Sequence, residues 1–331
     1  MHVAITLAKG LLHSKITNKP FMLSHLVTNR CNLSCPYCIW KRNEPDKMSK
    51  EQIKKFYNEA KQEGFKGVFI WGGEPLLRED IPEILEHAKS LKWNVSMATN
   101  GEMLEEKAEK IAPYLDTILI SIDHPTKHDI LRQGKKVYEK AINGIRRIKQ
   151  CNPGIKCIIA TVLTKHNYDQ MKNMVELAAK ERCFLLVQQM DKGITYDKNT
   201  NNKEDATQEQ RDKALDMLKK LKKDGHAIIN SNTYLNQFHS PKKQYKCKCQ
   251  RCYLTVYANG SIWGCAQNKP VGNIIETPLK KILSSEEYAN FRKHADECSK
   301  CTDAGTLENT YLYELKIEPI MNFLKNAVKH A

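Results

Sequence analysis

The stretch TNRCNLSCPYCIW, residues 28–40, places three cysteines in a C-x3-C-x2-C array. It follows directly on the apolar run FMLSHLV at 21–27, which has the length and composition of a β-strand. A closed structural zinc site uses four protein ligands, whereas three ligands leave a coordination position open for chemistry. A 4Fe–4S cluster held by three thiolates likewise keeps one iron available. The residues favour such a cluster at Cys31, Cys35 and Cys38, with zinc and incidental buried cysteines as alternatives.

The chain has 331 residues and 12 cysteines, and its length suits a barrel with an appendage. Nine of the cysteines form two groups, which are Cys31, Cys35, Cys38 and Cys247, Cys249, Cys252, Cys265, Cys298, Cys301. We find no secretory signal pattern and no apolar run near the ~18 residues of a membrane span. We therefore expect a cytoplasmic protein, in which clustered cysteines act as metal ligands rather than disulfides.

Short apolar runs alternate with longer helical patterns from residue 21 to about residue 225. We predict strands at 21–27, 67–71, 94–99, 117–122, 156–163 and 184–189, and helices near 49–63, 81–91, 103–113, 136–150, 168–181 and 207–224. Ser49 and Asn167 are predicted helix caps, and the polar stretch 191–210 is a predicted loop. The rhythm predicts an α/β fold with six βα units, a partial (β/α)6 barrel of TIM type, over 21–225.

The cysteine array CNLSCPYC resembles the signature of radical S-adenosylmethionine (SAM) enzymes, a family whose partial (β/α)6 barrel matches this rhythm. The resemblance implies that SAM binds the available iron of a radical-generating 4Fe–4S cluster. It also implies that the reduced cluster cleaves SAM to a 5′-deoxyadenosyl radical. An electron donor such as flavodoxin or ferredoxin is an expected partner.

Further matches to this family imply a cofactor site made of Tyr37, Gly72, Gly73, Glu74, Asn100, Ser121 and Arg132. The segment WGGEP at 71–75 resembles the motif whose glycine backbone and Glu74 receive the methionine ammonium of SAM. Asn100, in ATNG, is expected near the cofactor, and Ser121 and Arg132 are expected at its carboxylate or ribose. The backbone of Tyr37 is expected at the adenine. His124 replaces the family's usual glycine, either as a surface substitution or as an imidazole near the substrate.

The second cysteine group begins in KCKCQRCYLTVYANGSIWGC at 246–265, which predicts a β-hairpin turning at Asn259–Gly260. A helical piece at 278–294 and the pair CSKC at 298–301 follow. Spacing alone leaves zinc as a competitor. The pattern resembles the first half of the SPASM domain, and the lack of cysteine after Cys301 implies its shortened, twitch-like form with one auxiliary 4Fe–4S cluster. Its expected ligands are Cys265, Cys298, Cys301 and Cys249, with Cys252 or Cys247 as alternatives to Cys249.

The two ends of the chain carry apolar residues at helical spacing together with lysines. Residues 1–20 form a predicted basic amphipathic segment with Val3, Leu7 and Leu11 on one stripe, and residues 306–331 a predicted C-terminal helix with Ile317, Ile320, Leu324 and Val328. These stretches either pack on the open side of the barrel or rest on an anionic membrane and admit a lipid-linked substrate. Residues 226–305 would form the auxiliary-cluster domain.

The formal net charge of +15 attracts polyanions, membrane surfaces or acidic substrates. Our first functional hypothesis is radical oxidation or C–C bond formation on a small or lipid-linked polyol or isoprenoid substrate, with a peripheral contact to the inner membrane face. The alternative is a peptide-modifying maturase. A zinc-stabilised RNA-binding protein is a remote third hypothesis, and we expect no nucleic-acid partner because aromatic and Arg-rich RNA signatures are not evident.

Overall fold

A computed structural model describes residues 2–38, 40, 45–190, 202–239, 245–263 and 270–328. Within these residues nine strands form one sheet, in the order β6-β5-β4-β3-β2-β1-β7-β8-β9. The strands are β1 (Met22–Thr28), β2 (Gly67–Gly72), β3 (Asn94–Thr99), β4 (Thr117–Ser121), β5 (Lys156–Leu163), β6 (Phe184–Gln189), β7 (Tyr253–Val256), β8 (Ser261–Ile262) and β9 (Gly272–Asn273). Strands β1 to β6 pair in parallel with their sequence neighbours, which confirms the predicted α/β architecture.

The helices follow the strands as a parallel sheet requires. They are α1 (His2–Thr17), α2 (Lys50–Gln62), α3 (Ile81–Ser90), α4 (Leu104–Ile111), α5 (His128–Arg132), α6 (Val137–Cys151), α7 (Met171–Lys180), α8 (Gln208–Lys223), α9 (Asn232–Gln237), α10 (Cys249–Cys252), α11 (Leu279–Leu283), α12 (Glu286–Ala295), α13 (Ala304–Tyr313) and α14 (Ile317–Val328). None of the helices in the described ranges is long and apolar enough to cross a membrane.

The large core lies between the sheet and the helices. Leu23 and Val27 of β1 and Ile118 and Ile120 of β4 belong to it, together with the buried faces of α2 to α4 and of α6 to α8. Because side chains alternate along a strand, Ser24 and Leu26 of β1 point to the opposite face, the interior of the barrel. The interior face and the ends of the strands are therefore left to form a site.

The sheet continues past residue 225 at both edges. At one edge β7 pairs in parallel with β1, from Met22 with Tyr253 to His25 with Val256. At the other edge, Leu185 of β6 donates its N–H to the carbonyl of Ala227 and accepts from Ile229 N, at 2.9 and 2.8 Å. The predicted hairpin, with Val256 opposite Ile262, is therefore attached directly to the barrel sheet.

Some local predictions need correction. Ser49 caps α2 with a complete capping box, whereas Asn167 precedes the 3-10 helix Tyr168–Gln170 but makes no side-chain capping bond. Its side chain instead bonds the backbone of Asp123 and Val162, each at 2.8 Å, because it lies buried between two strand ends. The helical piece at 278–294 is divided into two helices, with Ser285 capping the second. The predicted C-terminal helix is also two helices, separated at Leu315, whose φ is 56°. Residues 191–201 of the predicted loop lie outside the described residues.

Candidate active site

The cysteine loop leaves the end of β1 and docks on the end of β2. Gly73 N donates to Thr28 O, and Glu74 N donates to Arg30 O, both at 2.8 Å. A Cβ on Gly73 would lie 2.1 Å from Arg30 O, and one on Gly72 would lie 2.3 Å from Thr28 O. The two glycines are therefore required for the backbone to approach the residues that precede Cys31 so closely.

Glu74 lies fully buried beneath this loop. Its carboxylate accepts from Leu76 N at 3.0 Å, from Thr99 Oγ1 at 2.8 Å and from Asn100 N at 2.7 Å. Burial raises the pKa of Glu74 to about 7, although these three bonds oppose the shift. The side chain thus joins the ends of β2 and β3.

Asn100 links β3 to the cysteine loop. Its Nδ2 donates to Asn32 Oδ1 at 2.8 Å, and its Oδ1 accepts from Glu102 N at 2.9 Å. Asn32 in turn donates to the Glu102 carboxylate. A cleft of about 540 Å³ opens beside these residues, with Lys140 on its wall.

Tyr37 and Arg132 meet at Asp123, a fully buried residue that follows β4. Arg132 Nε donates to Asp123 Oδ2 at 2.6 Å, the Tyr37 hydroxyl donates to the same oxygen, and Val162 N donates to Oδ1 at 2.8 Å. Burial alone would raise the pKa of Asp123, but the Arg132 guanidinium and these donors hold it below its usual value. The sequence prediction missed Asp123, although it stands between the predicted Ser121 and His124.

The three thiols of Cys31, Cys35 and Cys38 lie on this one anchored loop. Cys38 N donates to Cys35 O at 3.1 Å, which closes a tight turn, and Leu33 N lies 3.5 Å from Cys31 Sγ. The pKa of the Cys35 thiol is raised to about 11, mainly by burial; nearby Arg132 lowers it, and Cys38 and Cys31 raise it further. Among the described residues no three His, Cys, Asp or Glu side chains form a site for one metal ion. Three thiols spread over one loop fit a cluster, in which each binds a different iron.

Ser121 and His124 have simpler surroundings. Ser121 ends β4 on the face opposite buried Ile120, so it points toward the barrel interior. His124 is buried, and its Nδ1 accepts from Thr126 N and Lys127 N, both at 3.0 Å. The imidazole therefore closes the turn after β4. The predicted cofactor residues on β2, β3 and β4 thus all lie at the strand ends that surround the cysteine loop.

The second cysteine group is centred on Tyr245. Its hydroxyl donates to Cys301 O at 2.8 Å, and Cys247 N donates to Cys298 O at the same distance. The pKa of Tyr245 is raised, first by burial and then by Cys301, Cys247 and Cys298.

The other cysteines of this group differ in their surroundings. Cys252 is fully buried, its Sγ lies 3.8 Å from Asn309 O, and burial raises its pKa to about 12. Cys249 begins the short helix α10 and contributes, with Cys252, to the raised pKa of Tyr253, whose main cause is burial. Cys265 lies outside the described residues. The structure thus brings Cys247, Cys298 and Cys301 together around one tyrosine.

A group of aromatic side chains, which we call the aromatic wall, lies near the ends of β1, β2 and β7 on the interior side of the sheet. Its members are Trp40, Trp71, Tyr257 and Trp263, packed with Leu26 and Ala258. The ring centres of Trp40 and Trp71 are 4.7 Å apart, those of Trp71 and Tyr257 6.5 Å, and those of Tyr257 and Trp263 6.0 Å. Trp71 also donates from its indole N–H to Ser24 Oγ at 2.9 Å.

The sequence prediction missed the aromatic wall. The available signal was position, because Trp40 comes two residues after Cys38 and Trp263 two residues before Cys265. A second cleft, of about 470 Å³, opens on the other side of the cysteine loop beside Tyr37 and Ile130.

Two family models match the chain. The radical SAM superfamily model matches residues 26–178, and the SPASM model, described as an iron-sulfur cluster-binding domain, matches residues 247–302. Together they cover more than half of the chain. The chain is a radical SAM enzyme with a C-terminal SPASM domain. It accordingly binds SAM and a 4Fe–4S cluster in the first domain and additional iron–sulfur in the second, which confirms the predicted cofactors.

Curated relatives of this radical SAM enzyme act in several reactions. It is 25% identical over 296 residues to the sporulation killing factor maturation protein SkfB of Bacillus subtilis, covering 85% of this chain and 69% of SkfB. It is 38% identical over 137 residues to a probable GTP 3′,8-cyclase of Methanococcus maripaludis, covering 38% of this chain and 46% of the relative. It is 29% identical over 210 residues to pre-heme d1 synthase of Dinoroseobacter shibae, covering 61% of this chain and 50% of the synthase. The chain thus spans about half the length of the last two.

Solved structures share the fold of this radical SAM enzyme. Streptococcus suis SuiB bound to SAM superposes with a TM-score of 0.69 at 19% identity, covering 86% of this chain and 71% of SuiB. SuiB bound to its precursor peptide SuiA superposes with a TM-score of 0.70 at 19% identity, and the match covers 91% of this chain and 73% of SuiB. The enzyme anSMEcpe with bound SAM and the Kp18Cys peptide superposes with a TM-score of 0.67 at 17% identity, and the match covers 93% of this chain and 99% of anSMEcpe.

Proposed function

We propose that this radical SAM enzyme modifies a peptide. The observation that carries the proposal is the similarity to the SkfB maturation protein, because it extends over 85% of this chain. The shared fold with SuiB and anSMEcpe, whose structures contain peptides, supports it. These relatives favour the peptide hypothesis over our first hypothesis of a lipid-linked or polyol substrate.

We assign the radical-generating cluster to Cys31, Cys35 and Cys38, the three thiols of the anchored loop. When bound, this cluster and SAM supply the radical that removes hydrogen from the substrate. Asp123, through Tyr37 and Arg132, holds the loop against β4, and Gly73 holds it against β2. The chain's own contribution is thus a loop tied at both sides, which fixes where hydrogen abstraction takes place.

We assign the SAM site to the strand ends around this loop, that is to Tyr37, Gly72, Gly73, Glu74, Asn100, Ser121 and Arg132. Glu74 would take the methionine ammonium as one more hydrogen-bond donor to a carboxylate that already accepts three. A carboxylate accommodates about four such bonds, so the assignment is chemically consistent.

We assign the auxiliary cluster to Cys247, Cys298 and Cys301 together with Cys265. Cys247 replaces Cys249 as our preferred fourth ligand, because its backbone bonds that of Cys298 and both lie beside Tyr245. The SPASM match also begins at residue 247. Cys249 and Cys252 remain the alternatives.

We propose that the aromatic wall receives an apolar side chain of the peptide. The wall faces the barrel interior, and its indoles are only partly buried. Aromatic side chains of this kind bind apolar groups through large contact areas with specific geometry. An external donor such as flavodoxin or ferredoxin would supply the electron, and the basic surface suits an acidic partner of this kind.

The proposal is tested by adding two fractions of the cells that produce this protein to the anaerobically reconstituted enzyme. One fraction contains the small peptides, and the other is the lipid extract. SAM and a reductant are supplied, and 5′-deoxyadenosine formation is measured above the substrate-free rate. We expect stimulation by the peptide fraction that disappears after protease treatment, with a mass change in a peptide. Stimulation by the lipid extract alone would overturn the proposal and return the lipid-linked substrate to first place.

A further inference from the structure

Helix α1 packs on the barrel through a face of small residues. A Cβ added to Gly10 would lie 2.1 Å from the Phe21 ring, and Ser14 Oγ donates to Arg251 O at 2.6 Å. Leu7 and Leu11, which belong to the predicted apolar stripe, are half-buried on this same side. The stripe that the sequence singled out therefore faces the protein.

The opposite face of α1 is apolar as well, and it is exposed. Ile5, Leu12 and Ile16 are 46%, 60% and 73% exposed. At 100° per residue these positions fall within about 40° of one another on the helix surface. Lys9 and Lys15, both exposed, fall on the two sides of this stripe. An exposed apolar stripe between two lysines is typical of a helix that lies in a membrane interface.

Helix α14 carries a second exposed apolar stripe. Ile317, Met321 and Leu324 follow i, i+4, i+7 spacing and are 79%, 61% and 43% exposed. The two helices pack against each other. Leu315, just before α14, is 56% exposed and lies two residues from Tyr313, whose ring centre is 4.7 Å from Lys15 Nζ. We call the exposed apolar residues of α1 and α14, with Leu315, the terminal apolar surface.

The charges around the terminal apolar surface are predominantly positive. Helix α1 contains no acidic residue, and the chain has none before Glu44. The acidic side chain of α14, Glu318, is engaged in accepting from Asn232 N and Thr233 N at 2.8 and 2.9 Å. Lys325 is exposed on the same helix. The complementary partner is therefore negatively charged.

The terminal apolar surface lies at the end of the barrel opposite the cysteine loop. Gly10 contacts Phe21 just before β1, and His13 contacts Gly64 just before β2. Lys156, the first residue of β5, donates to Asn326 O in α14 at 3.0 Å. All these contacts lie at the starts of strands, whereas the candidate active site lies at their ends.

We propose that the terminal apolar surface attaches this enzyme to an anionic membrane, with the active-site end of the barrel facing away from the lipid. Side chains exposed by up to 79% protrude from the described part of this surface, and a bilayer accepts protruding apolar groups without shape complementarity. The lysines add attraction to anionic headgroups. This proposal does not depend on the peptide substrate.

The test is flotation of the full-length protein with vesicles of phosphatidylcholine containing about one third phosphatidylglycerol. We expect binding at low salt, release at high salt, and little binding to pure phosphatidylcholine. The double variant Leu12→Ser/Ile16→Ser should bind at least about tenfold more weakly, since it removes apolar insertion. Lys9→Glu/Lys15→Glu should weaken binding mainly at low salt.

Matched controls come from the rest of the surface. Ile130→Ser changes a 75% exposed isoleucine at the active-site end, and Lys180→Glu changes an exposed lysine on α7. Both should bind vesicles as the unaltered protein does. Failure of the unaltered protein to bind anionic vesicles at low salt would overturn the proposal. A loss of vesicle binding in the control variants as large as that in the α1 variants would overturn it as well. Dimerisation that Leu12→Ser/Ile16→Ser abolishes, without vesicle binding, would assign the surface to a second copy instead.

Discussion

Glu74 combines a structural position with a proposed cofactor contact. Its carboxylate is buried and holds β2 and β3 together through three hydrogen bonds, while burial raises its pKa to about 7. An ammonium group of SAM pairs with the ionised form. A protonated Glu74 must therefore lose its proton before that pairing forms, which makes cofactor affinity depend on pH.

We predict that SAM binding weakens as the pH falls below 7. The loss approaches about tenfold for each pH unit below the pKa, and affinity levels off above it until the α-amino group of SAM itself loses its proton, at about pH 8. Equilibrium dialysis of the anaerobic protein between about pH 6 and pH 8.5 measures this. The variant Glu74→Gln should bind SAM more weakly, with an affinity that does not fall as the pH is lowered. The control Glu139→Gln, on the exposed surface of α6, should show the same pH dependence of SAM affinity as the unaltered protein. A flat profile for the unaltered protein would rule out a titrating Glu74 in the site.

Asp123 and Arg132 form a buried ion pair, with side chains only 1% and 10% exposed. We predict that Asp123→Ala destabilises the protein by about 3–5 kcal/mol, because it leaves the guanidinium buried without its partner. Adding Arg132→Met to this variant should restore at least about 1 kcal/mol of the free energy of unfolding, because both charges are then removed. Denaturant unfolding of the anaerobic proteins provides the measurement.

The surface pair of Glu109 and Arg147 serves as the comparison for this prediction. Its side chains are 68% and 39% exposed, and Glu109→Ala should cost less than about 1 kcal/mol. If Asp123→Ala were no more destabilising than Glu109→Ala, the ion pair would not anchor the cysteine loop.

Between elements, the contact of the cysteine loop with β2 depends on Gly73. We predict that Gly73→Ala separates the loop from the strand, since the new Cβ would lie 2.1 Å from Arg30 O. The free energy of unfolding should fall by about 1–3 kcal/mol. The iron content after reconstitution should fall as well. Gly154→Ala is the matched control, because its nearest atom would be 3.5 Å away. Full iron content and unchanged stability in Gly73→Ala would contradict this account of the loop.

The elements of the barrel were predictable because their signals are local. Each of the strands β1 to β6 is a short apolar run, and helix α2 begins at a serine with a complete capping box. The pairing of β7 with β1 was not predictable, because it joins residues about 230 positions apart through backbone bonds that leave no pattern in the sequence. The inner face of α1 was also ambiguous, since that helix is apolar on both sides and Gly10 decides which side packs.

For the molecule as a whole, the two cysteine groups were recognisable because spacing reflects what a cluster requires. The sequence also indicated most residues at the strand ends, such as Gly73 and Asn100. It did not indicate Asp123 or the aromatic wall, because their roles arise from side chains that meet across the barrel. Trp71 and Tyr257 are far apart in sequence and become neighbours only through the β1–β7 pairing.

The central claim is that this one sheet carries two separate iron–sulfur sites. Its most direct test is iron and sulfide quantification, with electron paramagnetic resonance, on three reconstituted proteins. The unaltered protein should hold about eight irons, and Cys31→Ala/Cys35→Ala/Cys38→Ala and Cys298→Ala/Cys301→Ala should each hold about four. The first variant should form no 5′-deoxyadenosine. Zinc in place of iron, or a triple variant that keeps its full iron content, would contradict the account.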